Sequence, residues 1–364
     1  MRNLSNINNV LIEKLYSNKI FCKKYLLKKY PHNLLTSISD VCNLRCDMCL
    51  GHGVSKDKCP DKSIKKGLMS LDNFSKIVNE LSLNHANTNI VLQCRGEPFL
   101  NKDIFKMMDY CIDKNIFGKS IPTNGTLFTP DFQKEFIKRS SFFSDEKILG
   151  FSVDGMKESC EKIRKGVNYE NLVNNINSFI ELNNKNKKVK TAVFFTISNN
   201  DLLSEIDEYV DFWTAKGVDM IQITTQIVVD DEQVNRFDKD CIINNNLYKK
   251  SDLNKKIPCK ALYRDLIISS DLKRFEHCEI DYFGKGKYDF TTGSISDLWN
   301  SEYYNTVRKN QCSNIKDKNI NCLNCEVKYS YQYDLPTIDY VKEFNGYKYS
   351  VTEQFRSRIL RKIS

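Results

Sequence analysis

Asp40-Val41-Cys42-Asn43-Leu44-Arg45-Cys46-Asp47-Met48-Cys49-Leu50 follows closely on the apolar run Leu34 to Ile38. Three residues separate Cys42 from Cys46, and two separate Cys46 from Cys49. A loop with three thiolates at these gaps can hold three irons of a [4Fe-4S] cube. It supplies no fourth ligand, so one iron stays open for chemistry. Two other readings of close cysteines compete. Zinc wants four ligands in paired CxxC-type spacings; no second pair lies nearby, although Cys59 is available. A disulfide needs an oxidising compartment, and Met1 to Val10 is polar and asparagine-rich, without the apolar core of a signal peptide.

Fourteen cysteines in 364 residues is high for a chain with no export signal, and it fits a reduced cytoplasm that loads iron-sulfur clusters. Seven of them fall into two groups: Cys42, Cys46 and Cys49, then Cys259, Cys278, Cys322 and Cys325. The others, Cys22, Cys59, Cys94, Cys111, Cys160, Cys241 and Cys312, are expected to be mostly small buried apolar residues. The net charge of +9 accompanies a joint excess of Lys, Asn and Ile that reflects A/T-rich coding. It therefore gives no reason to expect a nucleic-acid partner. No window reaches the 18 or more consecutive apolar residues of a membrane span, and a cytoplasmic protein is expected.

From Leu34 to Gln226, short apolar runs alternate with amphipathic stretches, as a parallel strand-helix fold requires. The predicted strands are Leu34 to Ser39, Asn89 to Gln93, Gly118 to Pro122, Ile148 to Val153, Lys190 to Ile197 and Met220 to Thr224. Between them, Leu71, Phe74, Ile77, Val78 and Leu81 repeat at helical spacing behind Ser70, an N-cap candidate. Ile104, Phe105, Met108, Cys111 and Ile112 do the same, as do Leu172, Val173, Ile176, Phe179 and Ile180, and then Leu203, Ile206, Val210 and Trp213. Six such units with right-handed crossovers curl into a barrel-like sheet with its ligand site at the carboxyl ends of the strands. The fold class expected is α/β, a partial (β/α)6 TIM-like barrel followed by a small C-terminal α+β cysteine-rich domain. The boundaries expected are 1–33 for an N-terminal helical extension, 34–230 for the barrel, 231–335 for the cysteine-rich domain and 336–364 for a basic helical tail.

The CxxxCxxC loop after a first strand resembles the signature of the radical SAM superfamily. In that family the open iron binds the amine and carboxylate of S-adenosylmethionine, and reductive cleavage yields a 5′-deoxyadenosyl radical that takes a hydrogen from substrate. Polar motifs follow the next strands here. Cys94-Arg95-Gly96-Glu97-Pro98 resembles the family's GGEP segment, with Arg95 in place of the first Gly. Thr123-Asn124-Gly125 and Ser152-Val153-Asp154-Gly155 follow the third and fourth strands, and Arg164 comes shortly after. By this resemblance Gly96 and Glu97 are expected at the methionine amine. Asn124, Ser152 and Asp154 are expected on the ribose side, and Arg164 at the carboxylate. Met48 stands where the family usually has an aromatic. Taken alone, each Asn-Gly or Asp-Gly pair is also ordinary turn chemistry.

Pro258-Cys259, Cys278 and Cys322-Leu323-Asn324-Cys325 can complete one closed [4Fe-4S] cluster. Asp265 to Ser270 and Arg274 to His277 read as a hairpin between the first two, and Ser294 opens a capped helix that runs through Trp299. This arrangement resembles the twitch and SPASM domains of radical SAM enzymes, in their shorter one-cluster form because no cysteine follows Cys325. Four thiolates ending in CxxC also suit zinc. Cys312 is an extra thiol, open to roles as a ligand, a hydrogen donor or a core residue.

The resemblance implies an oxidoreductase or isomerase that takes electrons from a donor such as flavodoxin or ferredoxin, with the second cluster accepting an electron. Only 33 residues precede Leu34, too few for a leader-binding domain with its own core. The expected substrate is therefore a small molecule, such as a sugar, cyclitol or similar alcohol, undergoing oxidation or epimerisation. A peptide or protein side chain is the alternative, and a non-catalytic iron-sulfur or zinc protein is the rival of another class.

Overall fold

A computed structural model describes residues 28–49, 51–53, 67–185, 188–225, 261–276, 288–313, 338–344, 347–352 and 357–361. The six expected strands are present as β1 (Asn33–Thr36), β2 (Asn89–Val91), β3 (Gly118–Thr123), β4 (Phe143–Ser152), β5 (Lys190–Ile197) and β6 (Met220–Thr225). Each pairs in parallel with the next, so order in the sheet follows order in the chain. Parallel neighbours require a crossover, and helices supply it.

The helices are α1 (Leu71–Leu83), α2 (Ile104–Asp113), α3 (Pro130–Ile137), α4 (Lys157–Ile163), α5 (Tyr169–Asn184) and α6 (Ile206–Lys216). The Ser70 hydroxyl accepts from Asn73 N at 3.2 Å and starts α1, which buries Phe74, Ile77, Val78 and Leu81. Asn168 caps α5 in the same way, accepting from Asn171 N at 2.8 Å. Gly217 ends α6 at φ 83°, a conformation that costs a residue with a Cβ about 1–2 kcal/mol. Under the sheet, Phe99, Phe128, Phe136, Phe151 and Phe179 meet ring to ring at 5.1 to 6.3 Å. Such pairs contribute about 0.5–1.5 kcal/mol each beyond their buried area.

Both sheet edges are extended. The expected hairpin forms as β7 (Asp265–Ile268) and β8 (Phe275–Glu276), antiparallel to each other. Although β7 falls beyond the expected end of the barrel at residue 230, it pairs in parallel with β1, and Asn33 Nδ2 donates to Asp265 Oδ1 at 2.7 Å. At the other edge β9 (Ser357–Arg361) runs antiparallel to β6. The whole order is β8-β7-β1-β2-β3-β4-β5-β6-β9.

A helix was the expectation for 336–364, and the structure corrects it: strands span Ile338–Phe344, Tyr347–Thr352 and β9, the first two paired as a hairpin. The stretch carries Ile338, Tyr340, Val341, Phe344, Tyr347, Tyr349, Val351 and Thr352, aromatic and β-branched types that favour a pleated surface. The helical extension expected in 1–33 falls mostly outside the described residues, and 28–32 are not helical.

The short helix α7 (Ala261–Arg264) leads into β7, and α8 (Ile295–Trp299) and α9 (Glu302–Ser313) follow β8. The expected cap is present, Ser294 Oγ accepting from Asp297 N at 2.9 Å. Glu80 of α1 accepts from the first α8 amides, Ile295 N at 2.9 Å and Ser296 N at 3.1 Å, a carboxylate at the positive end of a helix. Arg308 of α9 lies 4.3 Å from the Trp299 ring and donates to Leu262 O and Trp299 O at 2.9 and 2.7 Å. Among the described residues no helix is long and apolar enough to cross a membrane.

Candidate active site at the carboxyl ends of the strands

The cysteine loop leaves β1 between two anchors. On one side, Gly96 N donates to Ser39 O at 3.0 Å and Glu97 N to Val41 O at 2.9 Å, so the turn after β2 is zipped onto the start of the loop. A Cβ at Gly96 would stand 2.2 Å from Val41 O, which makes glycine a steric requirement there. On the other side, Arg45–Cys46 pairs with Arg164–Lys165 in a two-residue antiparallel ladder. Asp47 N donates to Ile163 O at 2.9 Å, and Lys165 Nζ lies 2.8 Å from Asp47 Oδ1. The loop closes on itself through Cys49 N to Cys46 O at 3.0 Å and Gly53 N to Cys49 O at 3.0 Å.

Cys42, Cys46 and Cys49 are free thiols on this one loop. Cys42 Sγ accepts from Leu44 N at 3.5 Å and lies 3.9 Å from Asn124 Nδ2; N–H donors to sulfur favour a thiolate. Burial pushes the Cys46 thiol up to about 11, with Arg164 pulling the other way, and burial raises Cys42 too. Iron binds thiolate, so ligation must drive off these protons. Among the described residues no three His, Cys, Asp or Glu side chains converge on a single ion position. A cube does not ask for that, because each cysteine holds a different iron. The donor set therefore fits three irons of a [4Fe-4S] cluster.

The strand-end residues gather around this loop. Glu97 is fully buried and its carboxylate is spent on the protein: Oε1 accepts from Thr123 Oγ1 at 2.6 Å and Phe99 N at 3.1 Å, and Oε2 from Asn124 N at 2.7 Å. Burial pushes its pKa up, against those three donors. Asn124 Nδ2 reaches Asn43 Oδ1 at 2.8 Å, tying the end of β3 to the cysteine loop. Asp154 faces Arg164, Oδ2 to Nη1 at 2.5 Å, while its Oδ1 accepts from Thr196 N at 2.7 Å. Both oxygens of Asp154 are thus taken by the chain, and its evident work is to hold Arg164 and β5. Burial disfavours the Arg164 charge, but Asp154, with Cys46 and Cys160, more than offsets this and holds its pKa above the ordinary value. Arg164 Nε is buried with no hydrogen-bond partner. Ser152, half-buried, is the last residue of β4, paired with Phe194.

Sequence reasoning missed several participants. Asp40 is a buried hub, and Glu205 accepts from Met156 N at 2.6 Å and from the Ser159 hydroxyl, fixing the turn at Gly155. A cavity of about 80 Å³ next to the loop is lined by Asp47, Ser159, Lys162, Ser198, Asn199 and Asp201, among others. The polar run Ser198 to Asp201 directly after β5 was the available signal. Cys111 and Cys160 are fully buried as expected, and Cys94 is half-buried. Cys259, Cys278, Cys322 and Cys325 lie outside the described residues. Cys312 is in α9, and its side chain is likewise outside them.

Comparison with known proteins bears on the same stretch. Residues 36–212 match the family described as the Radical SAM superfamily. The chain is similar to the cysteine-type anaerobic sulfatase-maturating enzyme of Clostridium novyi (strain NT), 30% identical over 198 residues, covering 52% of this chain and 49% of that protein. It is also similar to the tungsten-containing aldehyde ferredoxin oxidoreductase cofactor-modifying protein of Pyrococcus furiosus, 27% identical over 316 residues, covering 76% and 82%. In fold it resembles native anSMEcpe with bound AdoMet and Cp18Cys peptide, with a TM-score of 0.57 at 17% identity over 84% of this chain and 91% of that one. The match to the sulfatase-maturating enzyme thus spans about half of that protein's length. The stretch that folds the cysteine loop against the turn of Glu97 and the ladder of Arg164 is the one that matches the Radical SAM superfamily.

Proposed function

We propose that this chain is a radical SAM enzyme that modifies a peptide or protein side chain. Cys42, Cys46 and Cys49 would hold a [4Fe-4S] cluster, which would supply the electron for reductive cleavage of S-adenosylmethionine. The protein's part is to hold and orient. Arg164 offers its unpartnered Nε to the methionine carboxylate, a charge-assisted contact. The backbone of the Gly96 turn faces the amine, and Asn124 and Ser152 serve the ribose side. Glu97 and Asp154 act one step back, fixing Asn124 and Arg164. The observation that carries this reading is the joining of two strand ends and the residue after α4 to one cysteine loop: Gly96 to Ser39, Asn124 to Asn43, and Arg164 beside Cys46.

For the substrate, the sulfatase-maturating relative and the peptide-bound structural neighbour support the peptide reading over the sugar or cyclitol expected from the short N-terminal segment. The cofactor-modifying relative, matched over 82% of its length, favours a small molecule or cofactor as the second reading. Cys259, Cys278, Cys322 and Cys325 are proposed to hold a second, closed cluster that accepts an electron, with flavodoxin or ferredoxin as the external donor. The reconstituted protein, reduced with dithionite, should form 5′-deoxyadenosine faster when side-chain-bearing peptides are added. Acceleration by sugars or cyclitols alone would instead select the small-molecule reading.

A further inference from the structure

The β7–β8 hairpin is fastened to the cysteine loop and its neighbouring turn at two buried points beyond the strand pairing itself. At the first, Asp40, two residues before Cys42, accepts from Ser37 Oγ at 2.5 Å and from Ser270 N and Oγ at 3.1 and 2.5 Å. At the second, Arg95, next to Gly96 in the turn after β2, forms an ion pair with Glu276, the last residue of β8. Arg95 and Glu276 are 8% and 4% exposed. Two strands, β1 and β7, stand between their own in the sheet, so the pair reaches across both. The tip between the anchors is strained: Leu272 is a non-glycine residue at φ 60°, kept there with its side chain fully buried.

Stability alone does not account for the ion pair. A buried pair returns little net free energy, and Glu276 Oε2 is left buried without a partner, which carries a further cost. Apolar residues in place of both Arg95 and Glu276 would avoid both costs. What the pair does provide is register between two segments far apart in the chain.

We propose that Arg95 and Asp40 are positioning residues that register the β7–β8 hairpin on the turn that holds S-adenosylmethionine. This rests on the function proposed above. Arg95 acts through Glu276, and the same contact fixes Gly96 and Glu97 against Ser39 and Val41. Loss of the pair therefore loosens the cofactor turn while leaving the three cysteines in place.

The test compares reconstituted full-length wild type with Arg95→Gly, Glu276→Gln and the charge-swapped Arg95→Glu/Glu276→Arg protein. The measurements are iron content, the change in the reduced cluster's paramagnetic resonance signal on adding S-adenosylmethionine, and KM and kcat for 5′-deoxyadenosine formation. Arg95→Gly and Glu276→Gln are expected to keep the first cluster's iron, to weaken the S-adenosylmethionine-induced spectral change and to raise KM about tenfold with a smaller effect on kcat. The swap should recover most of that loss. Wild-type KM and spectral change in Arg95→Gly would overturn the proposal, and so would a swap as impaired as the single variants. If Arg95→Gly does not fold, the near-isosteric Glu276→Gln and the swap decide by the same criteria. Wild-type iron near four instead of about eight would remove the second cluster yet leave the Arg95 measurement readable. Wild-type iron near eight with an unchanged Arg95→Gly would remove this proposal alone.

Discussion

Arg164 and Asp154 form a buried ion pair, Nη1 to Oδ2 at 2.5 Å, in which the guanidinium keeps Nε buried and unpartnered beside the cysteine loop. Asp154 neutralises the charge and sets its direction, while Nε remains a spare donor. Arg164→Ala strands the Asp154 carboxylate, and removing one partner of a buried pair costs about 3–5 kcal/mol. Urea unfolding should show a loss of that size. Arg164→Lys keeps the charge but not the fork, so it should lose less stability and still bind S-adenosylmethionine more weakly. Unchanged cofactor affinity in Arg164→Lys would remove Arg164 from the carboxylate site.

Gly96 and Gly217 separate two reasons for glycine. Gly96→Ala drives a Cβ into Val41 O, so the turn and the cysteine loop must part. A loss of about 1–3 kcal/mol and poor iron loading are expected together. Gly217→Ala meets nothing within 4 Å and pays only for its φ of 83°, about 1–2 kcal/mol, with iron loading intact. Iron assays beside urea curves distinguish them, and equal iron content in the two variants would contradict the zipped geometry.

Glu97 gives a pH signature. Burial, opposed by Asn124 N–H, the Thr123 hydroxyl and Phe99 N–H, holds its folded pKa above the ordinary 4.5. A raised folded pKa means that the native state holds the proton more tightly than the unfolded chain. Its contribution is fully present below about pH 4.5 and is lost as pH rises through the folded value. In the metal-free protein, wild-type stability should therefore fall relative to Glu97→Gln as pH rises from 4.5. A constant difference across that range would show that Glu97 titrates normally.

The parallel strands and most core helices were readable because each buries a local pattern: Phe74, Ile77, Val78 and Leu81 sit within one helix, and Ala192, Val193 and Phe195 within one strand. Helix α3 was not, since its eight residues bury only Gln133 and Phe136 and offer no stripe. Asp40 and Ser270 stand 230 positions apart, and no spacing rule connects them. Arg95 was visible only as a departure from the family's glycine, and its partner Glu276 lies on a strand whose place beside β1 depends on tertiary pairing. The roles of Glu97 and Asp154 turn on which oxygens the chain itself occupies, a matter of three-dimensional arrangement.

Cys322→Ala tests the second cysteine group. If it holds an electron-accepting cluster, the variant should drop from about eight irons to about four. It should still cleave S-adenosylmethionine without substrate while losing substrate turnover. Equal loss of both activities would indicate a folding role.

Every site role above depends on Cys42, Cys46 and Cys49 holding a cluster that cleaves S-adenosylmethionine. The most direct test of this is 5′-deoxyadenosine formation by anaerobically reconstituted, dithionite-reduced wild type and Cys46→Ala. The wild type is expected to form the product. Cys46→Ala, left with two protein ligands, is expected to form none above background. Bound zinc in place of iron in the wild type, or undiminished product from Cys46→Ala, would contradict it.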